Sequence, residues 1–237
     1  MYDVHIAKIA RSGRRTQPGR PSVKRETYRH GNLRQALLEA GIELAREGGP
    51  DAVVLREATR RAGVVPNAAY RHFADRNALV HAVSLAAMAE LARTMEAEQA
   101  GRLARCAADP PEQGRSAAEE ARARFRAVGT GYLRFARTEP GLFRAAFFVP
   151  GDMVEAELPV SAGEGGLTPF QLLGAALDDL VACGLMPAGR RPGAEFLAWS
   201  SVHGLAVLLI DGPLRGLAPE QAEQATELLI DMIERGL

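Results

Sequence analysis

Two short apolar patterns joined by a glycine, in the stretch Leu55–Phe73, limit what this chain can fold into more than any other feature of its sequence. Leu55, Ala58, Thr59 and Ala62 recur at helical spacing and share one face. Gly63 follows where a helix end calls for a left-handed residue, a conformation that glycine reaches at little cost. Pro66 then brings a fixed φ to the start of a second helix, Asn67–Phe73, in which Ala69 and Phe73 face inward. Small side chains at Ala58, Ala62, Ala68 and Ala69 let the two helices cross closely. The pattern fits a helix-turn-helix, whose second helix enters the major groove of DNA. It also fits an ordinary helix hairpin inside a bundle.

Charge distribution bears on that choice. Residues 1–80 carry 15 Lys and Arg against 8 Asp and Glu, whereas residues 81–237 carry 14 against 21, so a net charge of zero hides a basic end and an acidic remainder. The basic end coincides with the helix-turn-helix pattern and suits a polyanion. Within it, residues 1–30 are rich in Arg, Ser, Gly and Pro and read as a flexible arm, solvated or following a phosphate backbone. Lys24, Arg25 and Arg29, next to the folded part, are the arm residues expected to touch DNA. A hydrophobic content of 47% supports a large core, and few aromatics beside abundant Ala and Arg favour helices over sheets. No run of 18 uncharged apolar residues occurs, so no membrane span is expected. The basic N-terminus lacks the apolar stretch of a secretory signal. Cys106 and Cys183 have no CxxC partner or nearby His, which fits a reducing, cytoplasmic setting and no metal.

The stretch Asn32–Leu79 resembles the N-terminal domain of TetR-family transcriptional repressors. The resemblance rests on Leu33, Leu37 and Leu44, then Leu55-Arg56-Glu57-Ala58, Ala62-Gly63-Val64 and Tyr70-Arg71-His72-Phe73, followed by Arg76 and Leu79. Of the side chains that can project outward, Asn67, Ala68, Tyr70, Arg71 and His72, it implies that Tyr70 and His72 mainly hold phosphates, leaving Asn67 and Ala68 near base edges; Arg76, where the family commonly has Lys, is expected to clamp a phosphate. One departure stands out. The family usually has Ser or Thr before the second helix and before the proline; this chain has Val54 and Val65, so both helices lose a side-chain cap. Their first N–H groups are then left for water or phosphate.

The remaining chain reads as helices throughout. Leu33–Glu47 forms the first, opened by a capping pattern of Asn32 and Gln35 and ended by Gly48-Gly49-Pro50. A long helix starts at Arg76 after Asp75 as N-cap and runs towards Cys106. It would tie the basic head to the body. After Asp109-Pro110-Pro111, a second long helix spans about Glu112–Arg137, and a short apolar one follows Glu139-Pro140-Gly141. Residues 150–168, rich in Gly, Pro and Glu, read as a loop without specifiable structure. Three further helices span about Pro169–Cys183, Ala194–Ile210 and the stretch from Pro219 to the end.

Trp199, His203 and Gly204, together with Glu139-Pro140-Gly141-Leu142-Phe143, resemble the C-terminal domain of a TetR subgroup named for its Trp-His-Gly signature. Trp199 and His203 share a helix face. Either they form a packed, hydrogen-bonded core pair, or His203 meets a ligand directly. The resemblance implies a hollow body, for which the sequence offers Phe125, Tyr132, Phe147, Phe170, Leu173, Leu177, Trp199 and His203 as a mixture of apolar surfaces and polar tips. It also implies a homodimer through the last two long helices.

No catalytic constellation is legible. GxSxG, HExxH and Walker A sequences are missing, and Gly163-Glu164-Gly165-Gly166 follows no strand. The expectation is an all-α regulator without cofactor, metal or enzymatic activity. Residues 1–30 form the arm, 31–75 the DNA-binding domain, and 76–237 the effector-binding and dimerisation domain. Its partners would be a palindromic duplex operator, a small hydrophobic effector and a second copy of itself, with no membrane. An architectural DNA binder with a solid core, or an enzyme, are the alternatives.

Overall fold

The computed structural model describes residues 33–108 and 116–236, which form ten α-helices and no strand. They are α1 (Leu33–Gly48), α2 (Leu55–Arg61), α3 (Pro66–Ala69), α4 (Arg76–Ala108) and α5 (Ala117–Thr138). Then come α6 (Pro140–Phe147), α7 (Met153–Ala156), α8 (Pro169–Ala182), α9 (Ala194–Ile210) and α10 (Pro219–Gly236). Helices α1–α3 make a head on the first turns of α4, and the rest of α4 runs into a body built around α5.

Close backbone approach explains how α4 and α5 join. Gly131 lies where a Cβ would stand 2.8 Å from the Met95 Cα, so only a residue without a side chain permits this crossing. Around it α5 buries Phe125, Val128, Tyr132 and Phe135 on one stripe. The head meets the body at Gly141, whose Cα rests on the Ala45 and Arg46 carbonyls at the end of α1. Arg46 adds an ion pair to Glu139 across that junction.

Helix α10 is amphipathic and faces two ways. Its acidic stripe grips α5: Arg126 contacts Asp231 and Glu227, each at 2.5 Å, and Glu234 at 3.1 Å. Burial opposes that charge, yet the three carboxylates raise the Arg126 guanidinium above its ordinary pKa. The opposite stripe leaves Leu228 and Met232 exposed. Helix α9 is apolar on all sides: Ala198, Val202 and Ala206 enter the core while Phe196, Leu197 and Leu208 remain exposed.

Several expectations change. The second helix of the head is shorter than Asn67–Phe73: α3 ends at Ala69, and a turn closed by His72 N–H and Phe73 N–H on the Ala69 carbonyl completes it. The second long helix starts at Ala117 because Ser116 and Glu119 form a reciprocal capping box. Residues 150–168 are ordered into α7 and a 3₁₀ turn, Pro159–Ser161. Gln35 donates to Glu39; the cap expected from Asn32 lies outside the described residues. Among those residues, Arg76–Arg105 of α4 is the one stretch long and apolar enough to cross a membrane. Core packing against α1, α5, α6 and α8 accounts for its apolarity.

Candidate DNA-reading face and ligand cavity

The head is held by bonds between near neighbours. Gly63 has φ 70°, and a side chain there would meet nothing, so its backbone angle alone requires glycine. Val64 N–H reaches the Thr59 carbonyl at 3.0 Å and Gly63 N–H the Arg60 carbonyl at 3.3 Å, a Schellman closure of α2. Val54 and Val65 give no side-chain cap, as their identities require. Ala69 and Phe73 are buried, with the Arg34 guanidinium 5.2 Å from the Phe73 ring centre. This leaves Asn67, Tyr70, Arg71 and His72 exposed on one rim and Ala68 half-buried among them. Arg60 and Arg61 are held by Glu57, and Arg61 also by Glu47. Hydrogen bonds from both arginines pull the Glu57 carboxyl down to about 2. Lys24, Arg25 and Arg29 lie outside the described residues.

Arg76 does more than the resemblance implies. Its Nε donates to the Val53 carbonyl at 2.9 Å and its Nη2 to the Pro50 carbonyl at 2.7 Å. It therefore fixes the angle between α4 and the approach to α2. Asp75 caps α4 by accepting Ala78 N–H at 2.8 Å.

The body contains a cavity of ≈ 60 Å³ with almost wholly apolar walls. Of the residues expected there, Phe125, Tyr132, Phe147, Phe170, Leu173 and Trp199 line it. Two do not. Leu177 is fully buried core, one helical turn beyond Leu173 and away from the cavity. His203 lies behind the wall, its ring stacked on Phe143 at 5.5 Å, and bonds to Tyr132 from there. Met88 and Met95 of α4, Met153 of α7 and Ile230 and Ile233 of α10 also line it. Met88 and Met95 are seven residues apart, a same-face spacing visible in the sequence; nothing local marks Met153.

The polar tips form a chain. Trp199 Nε1–H donates to the Tyr132 hydroxyl at 3.2 Å, and that hydroxyl lies 2.8 Å from His203 Nδ1. Burial lowers the His203 pKa, keeping the ring neutral, and raises that of the Tyr132 phenol, keeping it protonated. The Tyr132 hydroxyl, which accepts from Trp199, donates to His203 Nδ1 in the tautomer that carries the ring proton on Nε2. The hydrogen-bonded core pair is thus what Trp199 and His203 form, joined through Tyr132. Nearby, Ser200 Oγ bonds the Leu197 carbonyl, and Asp211 pairs with Arg144.

A small helix-turn-helix head carried by the first helix of a hollow helical body defines a DNA-binding regulator. Residues 37–83 match the family described as bacterial regulatory proteins, tetR family, and residues 125–233 match the tetracyclin repressor-like C-terminal domain. The chain belongs to the TetR family, whose members are non-enzymatic, ligand-responsive DNA-binding regulators. Among solved structures it is similar to a protein of unknown function from Rhodococcus sp. RHA1, 26% identical with a TM-score of 0.64, covering 90% of this chain and 98% of that one. It is similar also to a structure described as the molecular basis for control of antibiotic production by bacterial hormones (19% identity, TM-score 0.54, 85% and 97% covered). A TetR family transcription regulator from Marinobacter aquaeolei VT8 shares 18% identity at TM-score 0.52, with 84% and 94% covered. No curated protein matches the chain.

Proposed function

We propose that this chain is a homodimeric repressor that leaves a palindromic operator when a small, uncharged, largely hydrophobic molecule enters the body. Residues 31–75 read the operator, assisted by the arm, and 76–237 hold the effector and the second copy. One observation carries the reading: the apolar cavity is walled in part by Met88 and Met95 of α4, the helix whose first turn Arg76 ties to the head. A molecule that pushes those methionines tilts the helix on which the DNA-reading face is mounted. The cavity has no cluster of charged side chains, so an apolar occupant is favoured. Such an effector must prefer the state that cannot bind DNA, since equal affinity for both shifts nothing.

The dimer reading rests on α9 and α10. Leu205, Leu208, Leu228, Leu229 and Met232 line a shallow apolar groove on the outer face of these helices. A patch of this kind marks an interface more readily than a free surface. Two copies related by a two-fold axis would present two α3 helices to major grooves about 34 Å apart.

The test is a melting-shift screen of apolar metabolites and drugs against the purified protein, followed by operator release measured with each hit. Hits that raise the melting temperature and release operator DNA support the reading. A protein that binds DNA while no hit changes its affinity is an architectural binder instead.

A further inference from the structure

One part of the cavity wall is not a long helix. Met153 and Ala156 of α7 reach the cavity from one side, and Pro169 and Phe170 at the start of α8 reach it from the other. The connection between them, residues 157–168, touches the head-bearing helix at its middle. The Glu96 carboxylate of α4 accepts Glu164 N–H through Oε2 and Gly165 N–H through Oε1, both at 2.9 Å. Gly163 lies so close that a Cβ there would stand 2.5 Å from either oxygen. Glu96 itself follows Met95, a lining residue. Earlier in the same connection, the 3₁₀ turn Pro159–Ser161 packs on α4, with Val160 at the edge of the groove between α1 and α4.

The cavity as it stands is too small for an effector with a ring. It measures ≈ 60 Å³, whereas a cavity of about 150 Å³ is what admits benzene. Some wall has to move. Helices α4, α5, α8 and α9 are interlocked through the core, and the Arg126 cluster ties α10 to them. The connection is held differently. It packs on α4 through the 3₁₀ turn and two hydrogen bonds to Glu96, and its Ser161 Oγ is buried without a partner, so opening returns a stranded hydroxyl to water. The methionines that border it adapt to a new occupant by rotating single bonds.

We propose that α7 and the connection that follows it, residues 153–168, are the gate of the cavity, with Met153 and Ala156 as its cavity face, and that Glu96 is its latch. The inference rests on the effector reading above. It adds a route for the signal: an occupant that displaces the gate breaks the contact between gate and α4. Glycines at 163 and 165 suit the latch because the Glu164 and Gly165 amides face one carboxylate, and a Cβ at 163 or 165 would stand 2.5 or 3.0 Å from its Oε1.

The experiment follows N-phenyl-1-naphthylamine, an uncharged apolar fluorophore, binding to the full-length protein by stopped flow, with amide hydrogen exchange read in parallel. Glu96→Gln leaves one acceptor and places an amide group against the second N–H. Gly163→Ala attacks the same contact from the other side. Both variants should fold normally and exchange the Glu164 and Gly165 amides faster. Both should take up the probe about tenfold faster, the loss expected for one bond to a charged group. The pair Glu96→Ala and Gly163→Ala, combined, should be no faster than Glu96→Ala alone, because the added methyl no longer meets a carboxylate. Faster exchange with unchanged uptake shows that the segment opens without gating the cavity and overturns the proposal. Unchanged exchange shows that Glu96 is no latch and overturns it too. If the probe binds neither wild type nor variants, the effector reading fails, and the gate with it.

Discussion

The head and the cavity are built on different scales. In the head, the turns close between residues a few positions apart, Val64 to Thr59, Gly63 to Arg60 and Ala78 to Asp75, and side-chain ties such as Arg61 to Glu47 and Arg76 to Pro50 span 14 and 26 positions. The cavity is assembled from α4 to α10, and its polar chain joins Tyr132 to residues 67 and 71 positions later. Local backbone closure makes a rigid surface that presents Asn67, Tyr70, Arg71 and His72 in fixed positions. Distant side chains, several of them methionine, make a wall whose shape depends on what fills it. A regulator uses both: a reading head that holds its shape, and a sensor that changes. The two parts meet at Gly141, against the Ala45 and Arg46 carbonyls.

The largest effect should come from breaking that junction. Gly141→Val drives side-chain carbons into the Ala45 and Arg46 carbonyls, which are main chain and cannot rotate away. A loss of about 3 kcal/mol or more is expected, near 10 °C in melting temperature for a chain this size. Differential scanning calorimetry measures it. A melting temperature within about 2 °C of wild type would show that α1 and α6 separate easily.

Next comes the border between cavity and core. Leu177→Trp overfills a site with no free space and should cost about 2–3 kcal/mol. Ala198→Leu adds carbons where the cavity already has room and should cost under about 1 kcal/mol. Urea unfolding of the two variants decides the matter; equal losses would mean that the cavity is closed space in solution.

That border is also where sequence reasoning stopped. Leu173 and Leu177 sit on the same stripe of α8, and periodicity marks both as inward without saying which meets a void. The limits of α9, Ala194–Ile210, were legible because Gly193 and Pro192 break the chain before it and apolar residues fill it. The turn after α2 was legible because Gly63 and Pro66 act through their own backbones. Pro66 also suggested too long a helix: nothing in Tyr70-Arg71-His72 forbids helical angles, and the turn there is set by how Phe73 enters the core. The Glu96 contact with Glu164 spans 68 positions and has no local signature, so residues 150–168 read as featureless. Arg76 was recognised as a cation at the DNA side, but its bonds to Val53 and Pro50 depend on a carbonyl geometry that composition does not reveal.

Within the head, base reading and backbone holding should separate. Asn67→Ala should weaken binding to the preferred operator by about 1–3 kcal/mol and alter sequence preference. Arg76→Ala should weaken specific and non-specific binding together and reduce the salt slope by about one unit. Arg76→Lys keeps the charge but lacks the fork that reaches both carbonyls. If the lysine variant recovers the slope while remaining weak, Arg76 acts both as phosphate contact and as head brace. Titrations at several salt concentrations on specific and random duplexes supply all three readings. An Asn67→Ala loss equal on every sequence would place Asn67 on the backbone instead.

The smallest effect concerns the polar end of the cavity, and its sign follows from His203. Burial lowers the His203 pKa below the ordinary value of 6.5, so the unfolded chain binds this proton more readily than the folded one. The associated stability is present in full above that ordinary value and is lost as the pH falls below it. The His203→Gln variant lacks this titration, so its stability should change less between pH 7.5 and about pH 5.5 than that of wild type. Protonation should also disturb the cavity, because a charged ring no longer accepts at Nδ1 and the Tyr132 hydroxyl must turn elsewhere. Trp199, whose N–H points at that hydroxyl, reports the change through its fluorescence; it is the only tryptophan in the chain. A fluorescence transition near the same pH in wild type and its absence in His203→Gln would place the proton at the back of the cavity wall. An identical transition in both would assign it to another group and leave the sensor's polar end insensitive to pH.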